Sequence, residues 1–472
     1  MAQVASSRYA LSAANTERAR QAGYVDAQWP LPAIDPSRLR EFQERSNARA
    51  ALSTALWLAL ILMSGWVLVA TWWSWWSLPA VAVYSALYGG ASDSRWHEMG
   101  HGTAFNSRRL NDAVYYLACF MLLRGPTVWR WSHYRHHTDT IITGHDAEIA
   151  FQRPPSIVRA LWRFTHVQGG LELLGRLLRH SVGRLDAEAR ELVPEHEQHR
   201  VVVESRVMVV ILAAAVMMSG LLSSAVPVIL VGGSTILGGW LVVFFGITQH
   251  AGLQEDVLDH RRNTRTVMMN PVFRFLYLNM NFHVEHHMFP SVPYHALPEL
   301  HAEIGPQLAP ALPSTGAAYR QIFSALRKQR NDSSYEIPID LPTMTGGEKA
   351  IDIGAENWMR GPEGQVILGL ETSLGDGELR RVDVGDRSLV VGRTESGRLF
   401  ACDGWCSHQK VHLAGGAIIG EEIECPKHNA RFDCLSGEAT RKPAHEMLRT
   451  YPVTVSEGRI SIDSPRSDSV GG

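Results

Sequence analysis

Cysteine is scarce in this sequence: five in 472 residues, at positions 119, 402, 406, 425 and 434. Five scattered thiols do not make a disulfide framework. Charge of either sign is nearly balanced, with a formal net charge of -2. That leaves no basic footprint for a nucleic-acid partner. No G-x-G-x-x-G run occurs, so a nicotinamide or flavin dinucleotide is not expected to bind here. No small-residue cleavage site follows the first apolar run, and the basic segment before it is too long, so a signal peptide is not expected. Charge is also missing locally. Residues 51–70, 77–90 and 207–247 contain no Asp, Glu, Lys or Arg.

These uncharged stretches read as membrane crossings. Ala51–Ala70 has the length of one crossing, about 20 residues. Thr71-Trp-Trp-Ser-Trp-Trp76 reads as the turn, because tryptophan favours the membrane–water interface. Ser77–Gly90 is a second crossing, short unless the tryptophans are counted with it. Residues 113–123 are apolar but too short, and read as a re-entrant or interfacial helix. Val207–Ile247 holds two more crossings with a break near Ser223–Pro227. Four crossings put both termini on one side, and the arginine-rich residues 1–50 place that side in the cytoplasm. The chain divides into a cytoplasmic N-terminal segment (1–50), an all-α membrane domain with about four spans and further cytoplasmic helices (51–330) and a linker (331–364). An all-β domain (365–463) and a disordered tail (464–472) follow. The β reading rests on short runs such as Val366–Leu370, Ser388–Val391, Leu399–Cys402 and Val453–Val455, separated by glycine turns.

Histidine is the informative residue type. Eight fall in three clusters: His97 and His101; His133, His136 and His137; His283, His286 and His287. Positions i, i+3 and i+4 share a helix face, so each cluster aims its imidazoles at one point. A nitrogen-rich cage of this kind suits a transition metal, whereas surface histidines would not repeat H-x-x-H-H twice in 21 histidines. Glu98 and Glu285 lie inside the clusters and are expected to orient ligand histidines through their second ring nitrogens.

An independent signal lies further on. Cys406-Ser-His408 is followed after sixteen residues by Cys425-Pro-Lys-His428. Two cysteines and two histidines so spaced fit a Rieske [2Fe-2S] centre, with the histidines on one iron and the cysteines on the other. A structural zinc site is the competing reading. The C-x-H spacing, Trp405 before it and Asn429–Asp433 after it favour the cluster. No additional cysteine pair lies in the two loops, which points to the soluble ferredoxin kind in a reducing cytoplasm.

The membrane half resembles the fatty acid desaturase and membrane hydroxylase superfamily of diiron enzymes. The resemblance is carried by the three histidine boxes, Gln249-His250-Ala-Gly-Leu253, Asn263-Thr-Arg-Thr266 and the run from Asn279 through His283 to Pro293. Within that superfamily the chain looks like a bacterial branch that includes rhizopine-catabolism oxygenases, which work with a separate Rieske ferredoxin. The short H-x-x-x-H first box departs from the acyl-CoA desaturases. The resemblance implies two non-haem irons on His97, His101, His133, His136, His137, His250, His283, His286 and His287. It also implies that the Rieske cluster, on Cys406, His408, Cys425 and His428, is their electron donor. His145 is expected to be a solvated loop residue, the remaining histidines surface residues, and Arg265 either an ion-pair partner or a headgroup contact.

The expected activity is O2-dependent oxidation of a C–H bond in a lipid-like substrate at the bacterial inner membrane, with both metal sites cytoplasmic. Hydroxylating O- or N-demethylation of a small polar substrate is the alternative. The expected partners are a separate NAD(P)H-dependent flavoprotein ferredoxin reductase and the lipid bilayer. A metal transporter would place charges inside its spans, and a redox sensor would need an output domain. The sequence offers neither.

Overall fold

The computed structural model describes residues 8–25, 27, 29–342, 359–360, 365–384, 387–408, 411–427, 430–442 and 444–463. The expected tail at 464–472, most of the linker after residue 342, and His428 lie outside the described residues. The chain forms two compact units. One comprises Met1–Trp29, Glu44–Met288 and Val292–Thr343; the other comprises Pro30–Gln43, Phe289–Ser291 and Met344–Gly472.

The first unit is helical. Helix α1 (Asn47–Ala70) starts where the Ser46 side chain accepts from the Arg49 N–H. Its Leu52, Leu62, Met63 and Trp66 are exposed, as lipid-facing residues would be. Trp73, Trp75 and Trp76 are exposed in the turn that follows. Helix α2 (Ser77–Ser85) runs through a five-residue π turn (Ala86–Gly90) into α3 (Ser92–His101), which Gly102 ends in the left-handed conformation. Helix α4 (Arg108–Met121) returns alongside α3, and α5 (Pro126–Thr138) follows with proline in its first turn. Two shorter amphipathic helices, α6 (Ile157–Arg163) and α7 (Val167–Ser181), precede the long apolar α8 (Gln198–Leu221). The chain re-enters through a kink at Val231–Gly232, where Val231 is extended and Gly232 has a positive φ, then α9 (Ser234–Gly238) and α10 (Trp240–His250). Helices α11 (His283–Met288) and α12 (Thr315–Asn331) complete the elements around the site.

Among the described residues, three helical stretches are long and apolar enough to cross a membrane: Ser37–Ala70, Glu195–Leu221 and Val226–His250. The fourth expected crossing is not one of them: its apolar run, Ser77–Gly90, is too short, and the helix that follows carries Asp93, Arg95 and Glu98. The break expected near Ser223–Pro227 is present, between Leu221 and Val226.

The end of α2 and its π turn cross α9 just after the kink at Val231–Gly232. A Cβ on Gly238 would come 1.7 Å from the Ser85 carbonyl oxygen, and one on Gly89 would come 2.2 Å from that of Ser234. Only glycine permits this approach. The Ser85 and Ser234 hydroxyls meet at 2.9 Å, and the Tyr84 hydroxyl donates to the Leu230 carbonyl at 2.8 Å. In an apolar medium such bonds satisfy backbone groups that a wide turn releases.

The second unit is built on antiparallel β-structure. Its strands are β1 (Met359–Arg360), β2 (Gln365–Leu370), β3 (Leu379–Val384), β4 (Arg387–Arg393), β5 (Leu399–Asp403), β6 (Ala417–Ile419), β7 (Glu422–Glu424), β8 (Arg431–Asp433), β9 (Ala439–Arg441), β10 (Thr450–Tyr451), β11 (Val453–Ser456) and β12 (Arg459–Asp463). They make three four-stranded sheets, ordered β1-β2-β12-β11, β10-β5-β4-β3 and β6-β7-β8-β9. Two short segments far away in sequence join this unit. Gln43 donates to the Ser291 hydroxyl at 2.8 Å, and Arg40 lies 4.0 Å from Glu378.

Candidate metal centre

The three boxes and His250 converge, and the helix period sorts them. In H-x-x-H-H the fifth position lies about 40° to one side of the first and the fourth about 60° to the other, so each of these boxes is divided between two foci and does not aim at one point as expected. Helix α5 sends His133 and His137 to a first group and His136 to a second; α11 sends His283 and His287 to the second and His286 to the first. Helix α3 adds His97 and His101 to the first group, and the C-terminal end of α10 adds His250 to the second. Within each group one nitrogen of every imidazole lies within 4.8 Å of all the others.

In the first group, Nε2–Nε2 distances are 3.0 Å for His101–His133, 3.1 Å for His133–His137, 3.2 Å for His137–His286 and 3.1 Å for His286–His97. In the second they are 3.1 Å for His250–His283 and 3.2 Å for His283–His287. Eight of the nine rings are buried, and His250 is half-buried. A neutral imidazole carries one N–H, so several buried Nε2 atoms pressed together cannot all be hydrogen-bonded to one another. A cation at each focus would accept all these lone pairs. The residues therefore fit a metal pair.

The outward nitrogens set the tautomers. His136 Nδ1 meets Asp146 Oδ2 at 2.8 Å, His250 Nδ1 meets the Asn263 carbonyl at 2.9 Å, and His287 Nδ1 meets Thr140 Oγ1 at 3.1 Å. For His136 and His250 the acceptor holds the proton on Nδ1 and leaves Nε2 a donor to metal. Burial first, and neighbouring imidazoles second, hold His97, His133, His137, His283 and His287 well below the usual histidine range. Burial opposes charge on His136 as well, but Asp146 and Glu148 raise it to about 9. Asp146 is itself fixed, accepting from the Ile141 N–H at 2.8 Å and the Glu148 N–H at 2.8 Å.

The expected roles of Glu98 and Glu285 are not observed. Glu98 accepts from the Thr103 hydroxyl at 2.7 Å and the Tyr294 N–H at 3.2 Å, and burial raises it to about 7. Glu285 accepts from the Thr266 hydroxyl at 2.5 Å and pairs with His301. Each is next in sequence to a box histidine, so the helix turns it about 100° away from the focus. His145 is buried, its Nε2 3.1 Å from Asp139 and its Nδ1 3.2 Å from the Thr16 hydroxyl. His180 and His260 are buried too, and the His260 ring lies 5.3 Å from that of His287. Arg265 meets no carboxylate among the described residues. It donates to the carbonyls of Thr248 at 3.3 Å and Ala251 at 2.8 Å, closing the C-terminal end of α10. Cationic groups are favourable at that end of a helix.

In the second unit, Cys406 and Cys425 are buried in matching loops. The Cys406 N–H donates to the Val411 carbonyl at 2.9 Å, and the Cys425 N–H to the Ala430 carbonyl at 2.7 Å. Burial, with Lys427 and His445 nearby, lowers His408 to about 4, so its ring is a neutral donor. Ser407 ties the first loop to the Glu446 carbonyl at 2.7 Å. Cys402 and Cys434 are buried in the adjoining apolar core.

A fold with two histidine cages beside long apolar helices and a separate β unit with paired Cys loops defines a redox metalloprotein. Residues 70–322 match the fatty acid desaturase family and residues 365–452 the Rieske [2Fe-2S] domain. The chain belongs to the fatty acid desaturase family and carries a Rieske domain after it. The second part is 35% identical over 88 residues to the ferredoxin component of a naphthalene 1,2-dioxygenase system of Pseudomonas putida, covering 19% of this chain and 84% of that one. It is 37% identical over 89 residues to the ferredoxin component of a p-cumate 2,3-dioxygenase system of Pseudomonas putida, covering 19% and 75%. Among solved structures, Sphingomonas yanoikuyae B1 ferredoxin aligns at 34% identity over 23% of this chain and all of that one, with a TM-score of 0.21. The protein is thus an O2-using oxidoreductase whose cofactors are a diiron centre and a [2Fe-2S] cluster.

Proposed function

We propose that this is a membrane oxygenase or desaturase that oxidises a C–H bond of a lipid-like substrate with electrons from its own Rieske domain. The nine histidines of the two groups hold the irons; Cys406, His408, Cys425 and His428 hold the cluster. The observation that carries this reading is the convergence of nine imidazoles in two adjoining cages, in a chain that also carries long apolar helices and a one-electron carrier.

The bound iron pair supplies O2 activation and hydrogen removal from an unactivated carbon. Hydroxylation consumes two electrons and two protons per O2 and releases one water, so a one-electron carrier delivers twice per turnover. The protein's own groups do the rest. Asp146 and the Asn263 carbonyl keep protons on the far nitrogens of His136 and His250, so both present lone pairs inward. Burial of eight rings excludes water that would otherwise react. The three apolar helical stretches favour a lipid-like substrate. Counting Ser77–Gly90, with the interfacial tryptophans, as a fourth crossing puts both units on the cytoplasmic side of a bacterial inner membrane, where an NAD(P)H-dependent flavoprotein reductase reloads the cluster.

The test uses full-length protein with NAD(P)H and a ferredoxin reductase in lipid nanodiscs, with products read by mass spectrometry. An alkene or alcohol on a lipid chain, lost in His408→Ala while membrane iron remains, supports the reading. Full turnover of His408→Ala would exclude the in-chain donor. A demethylated polar product would replace the lipid assignment.

A further inference from the structure

Helix α7 carries three stripes. Gly170, Leu177 and His180 are buried. Gln168, Glu172, Arg176 and Arg179 form a polar stripe. The third stripe, Val167, Leu171, Leu174, Leu178 and Val182, repeats at i, i+4, i+7 and i+11. In it Leu171 is 56% exposed, Leu178 49% and Val182 67%. The preceding α6 adds exposed Val158, Leu161 and Trp162. A soluble surface rarely shows so continuous an apolar face.

The ends of α7 fix where this face lies. At its N-terminal end, Gly170 packs on Ile236 and the His166 ring on Gly239, beside Trp240. At its C-terminal end, the Ser181 carbonyl accepts from Arg206 Nε at 2.8 Å. Arg206 directly precedes the apolar part of α8, and on the re-entering stretch Leu237 and Trp240 are the last large apolar residues left exposed. Both ends of α7 therefore meet the spans where their lipid-facing surfaces stop. Helix α7 packs along α8, which itself presents exposed Val207, Val210 and Ile211.

Charge identifies the occupant. Residues 157–184 hold five arginines (159, 163, 176, 179 and 184) and one acid, Glu172. An open groove of about 660 Å³ lies where the apolar and polar stripes meet, lined by Trp162, Val167 and Leu171 on one side and Glu172, Arg176 and Arg179 on the other. Arg176 is committed to Asp186 at 3.0 Å and Glu188 at 2.7 Å. Arg179 is exposed and has no ion-pair partner among the described residues.

We propose that the α6–α7 surface is a docking site for an anionic glycerophospholipid. Helix α7 lies in the headgroup layer, its apolar stripe meets acyl chains, and the groove receives the phosphate against Arg179. Amphipathic helices with basic polar faces bind membranes in this way. The site is separate from the histidine cages and does not depend on which substrate they oxidise.

Full-length protein is reconstituted in phosphatidylcholine nanodiscs with and without phosphatidylglycerol. Spin labels are placed on Leu178→Cys and Glu172→Cys; the five native cysteines are buried. The ratio of O2 to nickel-chelate collision is expected to be several-fold higher at position 178 than at 172. Equal access of the nickel chelate to both, or shielding of both from O2 and chelate by another chain, overturns the proposal. Native mass spectrometry then compares retained lipids. Wild type is expected to keep phosphatidylglycerol several-fold over phosphatidylcholine, and the double variant Arg163→Glu, Arg179→Glu to lose that preference with its iron content unchanged. No preference in wild type, or one that survives the variant, also overturns it.

Discussion

Asp146 shows what a residue outside the boxes contributes. Its carboxylate lies 2.8 Å from His136 Nδ1 and is pinned by two backbone N–H groups. Asp146→Asn keeps the shape but weakens the donor strength of His136. Partners of this kind typically change metal affinity by about 10- to 100-fold. Iron at the four-histidine group is expected to be that much easier to chelate, while the five-histidine group keeps its metal; site-resolved Mössbauer spectra during chelator titration check this. Of the nine histidines, His250, with no partner at helical spacing, came from the family resemblance; the other eight were legible in the sequence because spacing alone puts them on helix faces. Asp146 was not, since a loop after α5 brings it back and no period announces a loop. Glu98 and Glu285 were misread because closeness in sequence stood in for direction. The rotation of an α-helix points an adjacent residue elsewhere.

At the level of elements, the crossing of the α2 π turn with α9 is a tight feature. Gly238→Ala would drive a methyl into the Ser85 carbonyl. Overpacking of this sort costs about 1–3 kcal/mol, and here the obstacle is backbone. A lower melting temperature and reduced iron loading are expected, since α3 continues directly from that turn. A change confined to turnover, with iron and melting unaltered, would contradict this. The apolar runs and their break near Pro227 were readable from composition. The wide turn was not. A run of small and apolar residues such as Ala86–Gly90 suits α and π geometry alike, and the choice is made by Gly89 meeting Ser234 across the crossing.

For the whole molecule, iron counting is decisive: two histidine cages and one cluster require about four irons per chain. Cys406→Ser is expected to remove the cluster's visible absorption and leave about two, measured by elemental analysis of the same samples; a variant that still holds four would contradict the ligand assignment. The division into an apolar helical part and a β-rich part was visible as a change of hydrophobic period. The membership of Pro30–Gln43 and Phe289–Ser291 in the β-containing unit was not, because it depends on partners hundreds of residues distant, such as Arg40 and Glu378. In the proposed in-chain relay, donor and acceptor share one polypeptide, so their encounter would not depend on how much protein is present. A tethered module typically meets its target at an effective concentration on the order of millimolar. With reductase in excess, diluting the enzyme should leave turnover per molecule constant, whereas a ferredoxin supplied as a separate protein would be outrun by its own dissociation.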